Sequence, residues 1–404
     1  MHLLLIHQNF PGQFRDLAPA WLKAGHEVSA IGCAAPPIGP AWDGLTFHQY
    51  RFNGIERPTL LERGDAVAQL CLQLQDQGIW PDLVVAHSGW GESLQLRRIW
   101  GTTPLVVMPE LWGQASALGF GFDAALNGLS MDGDPFALPN LVGDLAIVQA
   151  DAAVVASTSQ RDSFPSALQG QLTLLPEGLD LNRLGPDPQA MVELPDVTLQ
   201  AGQPIVTLIS RLLEPLRGLR QALEAWPAVS AAHPEAQLLL VGDEHGSGYG
   251  VERPQLDSHL QDAMASWERG VDRSRVHVVG WLEHATMLRL LQCSACHLAL
   301  SYPYTLSWSV LEAMACAAPL ISNHGSPIAP ELNHNRNGLL VPFNDGAALS
   351  QAILNLLNNP ELRQRLGTAA RCTIQERFNL SKSLEQYEAL FQRLRRDNFE
   401  DATA

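Results

Sequence analysis

Two arginines stand where a short apolar run changes into a helical pattern, in the stretch "LISRLLEPLRGLRQAL". Arg211 follows the apolar run directly, and Arg217 precedes Gly218 at the start of the helical pattern. Guanidinium groups form forked, charge-assisted hydrogen bonds with phosphate oxygens, and a helix N-terminus adds a partial positive charge. The stretch therefore predicts a diphosphate site. The alternative from these residues alone is a pair of surface arginines that neutralise Glu214.

A second stretch, "YPYTLSWSVLEAMACA", follows an apolar run that ends near Ser301. Its loop leads into a helical pattern, so the backbone N–H groups from about Thr305 to Ser309 should lie at a helix N-terminus, which favours anions. Glu312 stands about one turn into that helix, where a carboxylate can accept hydrogen bonds from a ribose diol. The two stretches together predict a site for a nucleoside diphosphate.

The first residues, "MHLLLIHQNFPGQF", pass from a buried strand pattern to a polar tip within one residue. The amides of Gln8 and Asn9 can hydrogen-bond a sugar or an acceptor. Gly12 lets the backbone approach a ligand closely before the next helix begins. An ordinary Pro-Gly turn is the alternative interpretation of the same residues.

Apolar runs of strand length alternate with helical patterns along the chain, which is typical of parallel sheets covered on both faces. Ligands of such sheets bind at the carboxyl ends of the strands, where all three stretches lie. The runs form two series of five, which predict two doubly wound α/β domains that meet in a polar linker at about residues 184–204. They read "HLLLI", "EVSAIG", "DLVVAH", "PLVVMP" and "AAVVAS", then "PIVTLIS", "QLLLVG", "VHVVGW", "ACHLALS" and "APLISN".

Composition excludes several classes of protein. The net charge of −16 argues against a nucleic-acid surface, and the apolar runs are shorter than the ~20 residues of a membrane span. The cysteines are scattered, and Cys293 and Cys296 lack a second pair for a zinc site. We therefore expect a cytoplasmic protein with reduced thiols. Peripheral membrane contact through the basic C-terminal helix is an alternative to that helix packing back on the first domain.

The second half of the chain resembles the retaining glycosyltransferases of family 4, which have the GT-B fold. The resemblance rests on "YTLSWSVLEAMACAAPLI" and "NGLLVPFNDGAALSQAILNLLNNPELRQRLG". It implies that Glu312 binds the nucleotide ribose and that Arg211 and Arg217 hold the diphosphate. Tyr304 occupies the position of the first glutamate in the family's E-x7-E signature. It also implies a donor site made of these residues with Gly12, Trp281, Thr305, Leu306 and Ser307.

The first half resembles one subgroup of the same family, through "HQNFPGQFRDLAPAWLKAGHEV", "VVAHSGWGESLQLRRIW" and "LPEGLD". Many members carry a histidine near the reacting sugar, at a position that is Glu110 here; His87 is the nearest alternative polar group. The resemblance implies catalytic roles for Glu110 and His87 beside the two arginines, and acceptor contacts from Gln8, Asn9, His87 and Trp90.

The GT-B fold implied by the resemblance has two Rossmann-like domains that face each other across a cleft. We expect an acceptor-binding domain at residues 1–195, a donor-binding domain at 196–375, and C-terminal helices at 376–404 that cross back to the first domain.

The implied activity is transfer of a sugar from a nucleotide-diphosphate donor, with UDP-glucose the first expectation and GDP-mannose the second. The acceptor would be a hydroxyl of a glycan, peptide, small metabolite or lipid-linked sugar. No cofactor or metal is expected, since Asp132 and Asp134 lie in a connecting loop. Two alternatives remain: an epimerase or phosphorylase on the same fold, and a catalytically silent GT-B sugar-binding or partner subunit, suggested by Tyr304 and Glu110.

Overall fold

The computed structural model describes residues 1–52, 58–246, 248–250, 252–265, 267 and 272–403. The chain divides into two compact units. The first comprises Met1–Gly113, Gly133–Asp180 and Phe378–Ala404, and the second comprises Gln114–Asp132 and Leu181–Arg377. The change of unit after Asp180 lies earlier than the expected boundary at residue 195, and residues 114–132 belong to the second unit although they lie within the first series of strands.

A sheet of seven parallel strands forms the centre of the first unit, in the order β3-β2-β1-β4-β5-β6-β7. The five apolar runs of the first half are all strands of this sheet. The two edge strands, β3 and β7, were not predicted. The strands are β1 (His2–Ile6), β2 (Glu27–Gly32), β3 (Leu45–Gln49), β4 (Leu83–His87), β5 (Leu105–Met108), β6 (Ala152–Val155) and β7 (Leu172–Leu174).

The second unit contains a six-stranded parallel sheet in the order β12-β11-β10-β13-β14-β15, together with an antiparallel hairpin of β8 and β9. The hairpin falls in the expected linker. The strands are β8 (Met191–Leu194), β9 (Val197–Gln200), β10 (Ile205–Leu212), β11 (Gln237–Asp243), β12 (Val276–Gly280), β13 (Cys296–Ala299), β14 (Leu320–Asn323) and β15 (Leu339–Val341). Two parallel doubly wound sheets confirm the predicted fold class.

The helices connect successive strands, and a polar side chain caps several of them; in α2, for example, Thr59 and Glu62 form a reciprocal capping box. None of the described helices is long and apolar enough to cross a membrane. They are α1 (Leu17–Lys23), α2 (Leu60–Asp76), α3 (Leu96–Trp100), α4 (Ala137–Gln149), α5 (Thr158–Ser163), α6 (Ser166–Gln169), α7 (Leu219–Ala232), α8 (His259–Ala265), α9 (His284–Cys293), α10 (Trp308–Ala315), α11 (Gly346–Asn358), α12 (Pro360–Arg377) and α13 (Leu380–Thr403).

Strand β1 shows why the apolar runs are continuous. Leu3 and Leu5 are buried in the core on one face of the sheet, and Leu4 and Ile6 in the core on the other. Because side chains alternate across a strand, a strand covered on both faces must be apolar at every position. In β1 the polar residues therefore stand only at its ends, and the predicted site begins at the carboxyl end.

The last helix, α13, belongs to the first unit, as predicted. Its side chains Tyr387 and Phe391 are fully buried and pack against Trp21 of α1, with ring centroids 5.6 and 5.5 Å from that indole. The apolar face of α13 is therefore part of the core, which favours the predicted packing of this helix over its membrane alternative.

Candidate active site

The predicted site residues fall into two groups, one in each unit. Each group lies where the strand order of its sheet reverses, between β1 and β4 in the first sheet and between β10 and β13 in the second. In open parallel sheets this reversal leaves a crevice outside the carboxyl ends of the two strands, and ligands bind there. The topology thus supports both positions independently of the residue types.

In the second unit, Arg217 is held against the loop that follows β13. Its guanidinium donates hydrogen bonds to Ser301 Oγ at 3.1 Å and to the carbonyl of Thr305 at 3.0 Å. Arg211 lies near the end of β10, is exposed, and donates to the hydroxyl of Tyr249 at 2.9 Å. One arginine is therefore fixed by the loop, and the other is held by a single phenol.

Two tyrosines lie beside the arginines. The guanidinium carbon of Arg217 lies 5.8 Å from the ring centroid of Tyr304, and that of Arg211 lies 5.5 Å from the ring of Tyr249. The two rings are 5.4 Å apart. Tyr304 therefore contacts the cations through its aromatic face, where the family pattern has a carboxylate. Tyr249 was not predicted as a site residue. Its glycine-rich segment follows a strand, which is typical of a loop near a ligand.

The carboxylate of Glu214 has a structural role. It is buried and accepts the N–H groups of Tyr249 at 3.3 Å and Gly250 at 2.9 Å. A Cβ added at Gly248 would press against the side chains of Glu214 and Leu212, so glycine lets the loop approach both closely. Glu214 thus shapes the glycine-rich loop, which weighs against the interpretation that its main role is to neutralise the two arginines.

The loop from Tyr304 to Ser307 enters α10 with Ser307 as the N-cap, and the Ser307 side chain makes no capping bond to the helix. Ser307 Oγ is instead 2.8 Å from Ser309 Oγ. A small cavity at this edge is lined by residues that include Arg217, Leu306 and Ser307. The structure thus brings together the predicted arginine, the loop and the helix N-terminus.

Glu312 is buried in α10, and its Oε1 lies 2.8 Å from Nε2 of His284, the first residue of α9. The side chain of His284 is 43% exposed, so this edge of the Glu312 carboxylate adjoins solvent. His284 was not predicted, and nothing in its local sequence marks it. Trp281 follows β12 and is 69% exposed, so its indole is not part of the core.

In the first unit, the polar tip of β1 is organised around His7. The imidazole is buried, and its Nδ1 accepts the N–H of Asn9 at 3.0 Å, so in the neutral ring Nε2 carries the proton. Gly12 has φ of +44°, and a Cβ there would lie 2.4 Å from the His7 ring. Gly12 is therefore required for packing against His7. The backbone carbonyl of Gln8 accepts the N–H of Cys33 at 2.8 Å.

His87 and Glu110 continue this group. The ring of His87 lies 4.8 Å from the ring of His7, and its Nε2 lies 3.6 Å from Glu110 Oε2. His87 is 1% exposed, and neither ring nitrogen has a hydrogen-bond partner among the described residues. Glu110 is 31% exposed, so it links the buried imidazole to the surface. Trp90 is half-buried in the turn that follows β4.

Glu177, three residues beyond β7, adds an unpredicted carboxyl group. Burial raises its pKa to about 7, and the charge of Glu110 adds to the rise, whereas His87 and Arg15 lower it. Burial also lowers the pKa of His7 to about 3, with a contribution from His87. At neutral pH the first-unit group therefore consists of an uncharged His7 and a carboxyl group, Glu177, poised between its two forms.

Among the residues that the structure describes, no group of three or more His, Cys, Asp or Glu side chains is arranged to hold a metal ion. Asp132 and Asp134 lie in an exposed loop, and Asp134 Oδ1 accepts the N–H of Phe136 at 2.9 Å. All six cysteines are free thiols.

Solved structures with the same architecture define the class of protein. The chain superposes on sucrose-phosphate synthase from Thermosynechococcus elongatus with a TM-score of 0.73 and 20% identity, covering 98% of this chain and 99% of that one. It superposes on Anabaena HepE in complex with UDP-glucose with a TM-score of 0.68 and 16% identity, covering 96% and 99%. At these identities the likeness shows the fold, which is GT-B.

Family models give the narrower assignment. The model described as "Glycosyl transferase family 4 group" matches residues 49–184, and the model "Glycosyl transferases group 1" matches residues 203–359. The chain belongs to the family 4 glycosyltransferases, as its motifs indicated.

Two relatives show how far the sequence similarity extends. N-acetyl-alpha-D-glucosaminyl L-malate synthase of Bacillus anthracis is 31% identical over 165 residues, which are 41% of this chain and 39% of the relative. D-inositol 3-phosphate glycosyltransferase of Segniliparus rotundus is 24% identical over 340 residues, 82% of this chain and 72% of the relative. The first match thus spans well under half the length of that relative.

Proposed function

We propose that the protein is a retaining glycosyltransferase that takes a sugar from a nucleotide-diphosphate donor and transfers it to a hydroxyl acceptor without a metal ion. The observation that carries the proposal is the arrangement of Arg211 and Arg217 beside the N-terminus of α10, at the reversal point of the second sheet. These are cationic and N–H donor groups of the kind that a diphosphate requires.

The chemical problem in this reaction is the leaving group. When the bond between sugar and phosphate breaks, negative charge develops on the diphosphate, and preorganised donors stabilise it. Arg217 is preorganised because the loop carbonyl of Thr305 and the hydroxyl of Ser301 fix its guanidinium. Removal of one such donor commonly costs about 10²–10³ in rate. Arg211 would move from the Tyr249 hydroxyl to a phosphate oxygen when the donor binds.

Glu312 would bind the ribose diol through its buried carboxylate. Its contact with His284 holds that carboxylate in place before the donor arrives. Trp281, exposed beyond β12, would contact the base, while Tyr304 and Leu306 would line the sugar and phosphate positions. The donor site then consists of the residues expected from sequence, with Tyr249 and His284 added.

Retention of the anomeric configuration follows from a substitution on one face of the sugar through an oxocarbenium-like state, in which the departing phosphate helps to deprotonate the acceptor. Glu110 would then orient the acceptor or the sugar, with His87 behind it, and Gln8, Asn9 and Trp90 would add acceptor contacts. A carboxylate nucleophile is the other route to retention, and Glu110 is the candidate for it.

UDP-glucose is the first candidate donor and GDP-mannose the second. HepE, a protein of the same fold, has been solved with UDP-glucose. The acceptor would be a hydroxyl of a glycan, peptide, small metabolite or lipid-linked sugar. A polyanionic acceptor is disfavoured by the carboxyl groups of Glu110 and Glu177. The free thiols support the cytoplasm as the compartment.

The test is nucleotide binding and slow donor hydrolysis across UDP-, GDP-, ADP- and TDP-sugars, without added metal. The variants are Arg217→Ala and, as a matched control, Arg336→Ala, which removes an exposed arginine of the same unit. We expect one nucleotide to bind wild type and the control equally, and binding to weaken at least tenfold in Arg217→Ala. The released sugar should appear first as the α-anomer.

Binding of no nucleotide, or equal binding by both arginine variants, would contradict the diphosphate assignment and favour a silent sugar-binding or partner subunit. First appearance of the β-anomer would contradict retention while leaving the donor site intact. If added Mg²⁺ were required for turnover, the metal-independent mechanism would be wrong.

A further inference from the structure

Residues 114–132 form a segment that leaves the first unit after Gly113 and returns to it at Gly133. Between these points the segment is part of the second unit. It begins four residues after Glu110 in the sequence. Nothing in its sequence, which lacks a regular period, indicates a role in donor binding. Its side-chain contacts within the second unit, however, connect it to the proposed donor site.

Asp123 is the centre of these contacts. Its carboxylate is 1% exposed, and its Oδ2 accepts the hydroxyl of Tyr302 at 2.6 Å and a guanidinium N–H of Arg220 at 2.9 Å. Its Oδ1 accepts the N–H of Ala125 at 2.9 Å. A buried carboxylate is tolerated only when it is paired and hydrogen-bonded, so this network specifies one arrangement of its partners.

Both partners of Asp123 belong to the elements that carry the donor site. Arg220 lies in the first turn of α7, three residues after Arg217. Tyr302 begins the loop that leads to α10, and its N–H donates to the carbonyl of Leu216 at 3.0 Å. Asp123 thus ties the connection after β10 to the connection after β13. Glu252 supports the same tie, since it accepts from Arg220 at 2.5 Å and from the Tyr302 hydroxyl at 3.2 Å. Burial, together with the bond to Asp123, raises the pKa of Tyr302 far above its ordinary range, so the phenol stays a donor.

The same segment has a second anchor that does not touch the donor loops. Asn344 donates its amide to the carbonyl of Phe122 at 2.8 Å, and its side-chain oxygen accepts the N–H of Ala124 at 2.9 Å. Asn344 therefore holds the backbone on either side of Asp123, and within the described part of the chain it makes no hydrogen bond to Arg220 or Tyr302. Substitutions at Asn344 and at Asp123 can therefore distinguish two roles of the segment. Asn344 only attaches it, whereas Asp123 also holds residues next to the donor site.

We propose that Asp123 is a positioning residue of the donor site. Its carboxylate holds Arg220 and Tyr302 and, through them, keeps Arg217 and the loop before α10 in the geometry that receives the diphosphate. The inference rests on the proposed function of that site. It follows that nucleotide binding and the order of residues 119–126 are linked, because each favours the same arrangement of the two loops.

The experiment measures the dissociation constants of UDP, GDP, ADP and TDP by calorimetry for wild type, Asp123→Asn, Tyr302→Phe and the control Asn344→Ala, together with the melting temperature of each. Loss of a buried charged hydrogen bond is worth about 1.5–3 kcal/mol, so we expect Asp123→Asn to weaken binding by about 10- to 100-fold. Tyr302→Phe should weaken it by about 3- to 10-fold, and Asn344→Ala should lower the melting temperature with less than a twofold change in affinity.

A second readout is hydrogen exchange in residues 119–126. Saturating nucleotide should slow the exchange in wild type, and the slowing should be lost in Tyr302→Phe, which removes one hydroxyl and is the variant to use if Asp123→Asn does not fold. Parallel losses of affinity and stability in Asp123→Asn and Asn344→Ala would mean that the segment only supports the fold, which overturns the proposal. Unchanged affinity in both Asp123→Asn and Tyr302→Phe would overturn it as well. Failure of wild type to bind any of the four nucleotides would instead overturn the donor site itself.

Discussion

Glu177→Gln should make the protein more stable at neutral and alkaline pH. The carboxyl group is held near Glu110, and burial raises its pKa from 4.5 to about 7. Between these pH values the unfolded chain releases the proton while the folded chain keeps it. The free energy of unfolding of wild type therefore falls as pH rises through this window. A pKa raised from 4.5 to about 7 corresponds to about 3 kcal/mol in the free energy of unfolding above pH 7.

Glutamine cannot ionise, so the variant avoids this loss. We expect equal stabilities at pH 4, a difference that grows between pH 4.5 and 7, and a constant advantage of about 3 kcal/mol for Glu177→Gln above pH 7. For a unit of this size 1 kcal/mol shifts the melting temperature by about 2–4 °C. Melting of both proteins from pH 4 to pH 8.5 measures the effect.

The matched control is Glu385→Gln, which changes an exposed carboxylate of α13 in the same unit. Its melting temperature should follow that of wild type across the whole range. A constant difference between Glu177→Gln and wild type at pH 4 and pH 8 would refute the argument, because it would show that Glu177 does not titrate differently in the folded and unfolded states. A gain in stability that accompanies a loss of turnover would mark Glu177 as retained for function.

Three further substitutions test the packing and the donor site. Gly12→Ala should lower the melting temperature of the first unit, since the left-handed φ alone costs about 1–2 kcal/mol and the new methyl meets the His7 ring; an unchanged melting curve would contradict this close approach. Tyr304→Ala should weaken nucleotide binding by about 2- to 30-fold in calorimetry through loss of the cation–π contact with Arg217, whereas Tyr304→Phe should bind within twofold of wild type. Trp21→Ala should cost about 3–5 kcal/mol and expose α13 to limited proteolysis, and continued resistance of the C-terminal helix would show that its docking does not depend on this indole.

The sequence predicted ten strands from their continuous apolar runs. Nine of them are mainly buried, whereas β12 lies at a sheet edge and has no buried residue. The sequence did not predict β3 or β7, which lie at the edges of the first sheet, or β15, which lies at an edge of the second. In β3 no residue is fully buried, so the pattern that identifies a central strand is absent. The β8–β9 hairpin lies outside both parallel sheets, and its short strands fall in a stretch rich in proline and aspartate.

The residues of the candidate site also fall into those that the local sequence marks and those that it does not. Arg217 and Glu312 could be proposed from the sequence because each stands in a local pattern, a strand end followed by a helix start. Tyr249, His284 and Asp123 act through partners 38, 28 and 179 residues away, Arg211, Glu312 and Tyr302 respectively. No local pattern encodes such a contact, since only the folded chain brings the partners together.

The contacts of Tyr304 with Arg217 and of Tyr249 with Arg211 bear on how a tyrosine can stand where the family pattern has a glutamate. A carboxylate at position 304 would lie near the guanidinium group of Arg217 and neutralise part of its charge. Tyr304 keeps that charge available and still orders Arg217 through its ring, while Tyr249 does the same for Arg211. Because cation–π contacts leave the N–H donors of a guanidinium free to point elsewhere, both arginines can bind phosphate oxygens without first breaking an ion pair with Tyr304. Under the proposed function, a tyrosine at position 304 is therefore compatible with a working diphosphate site.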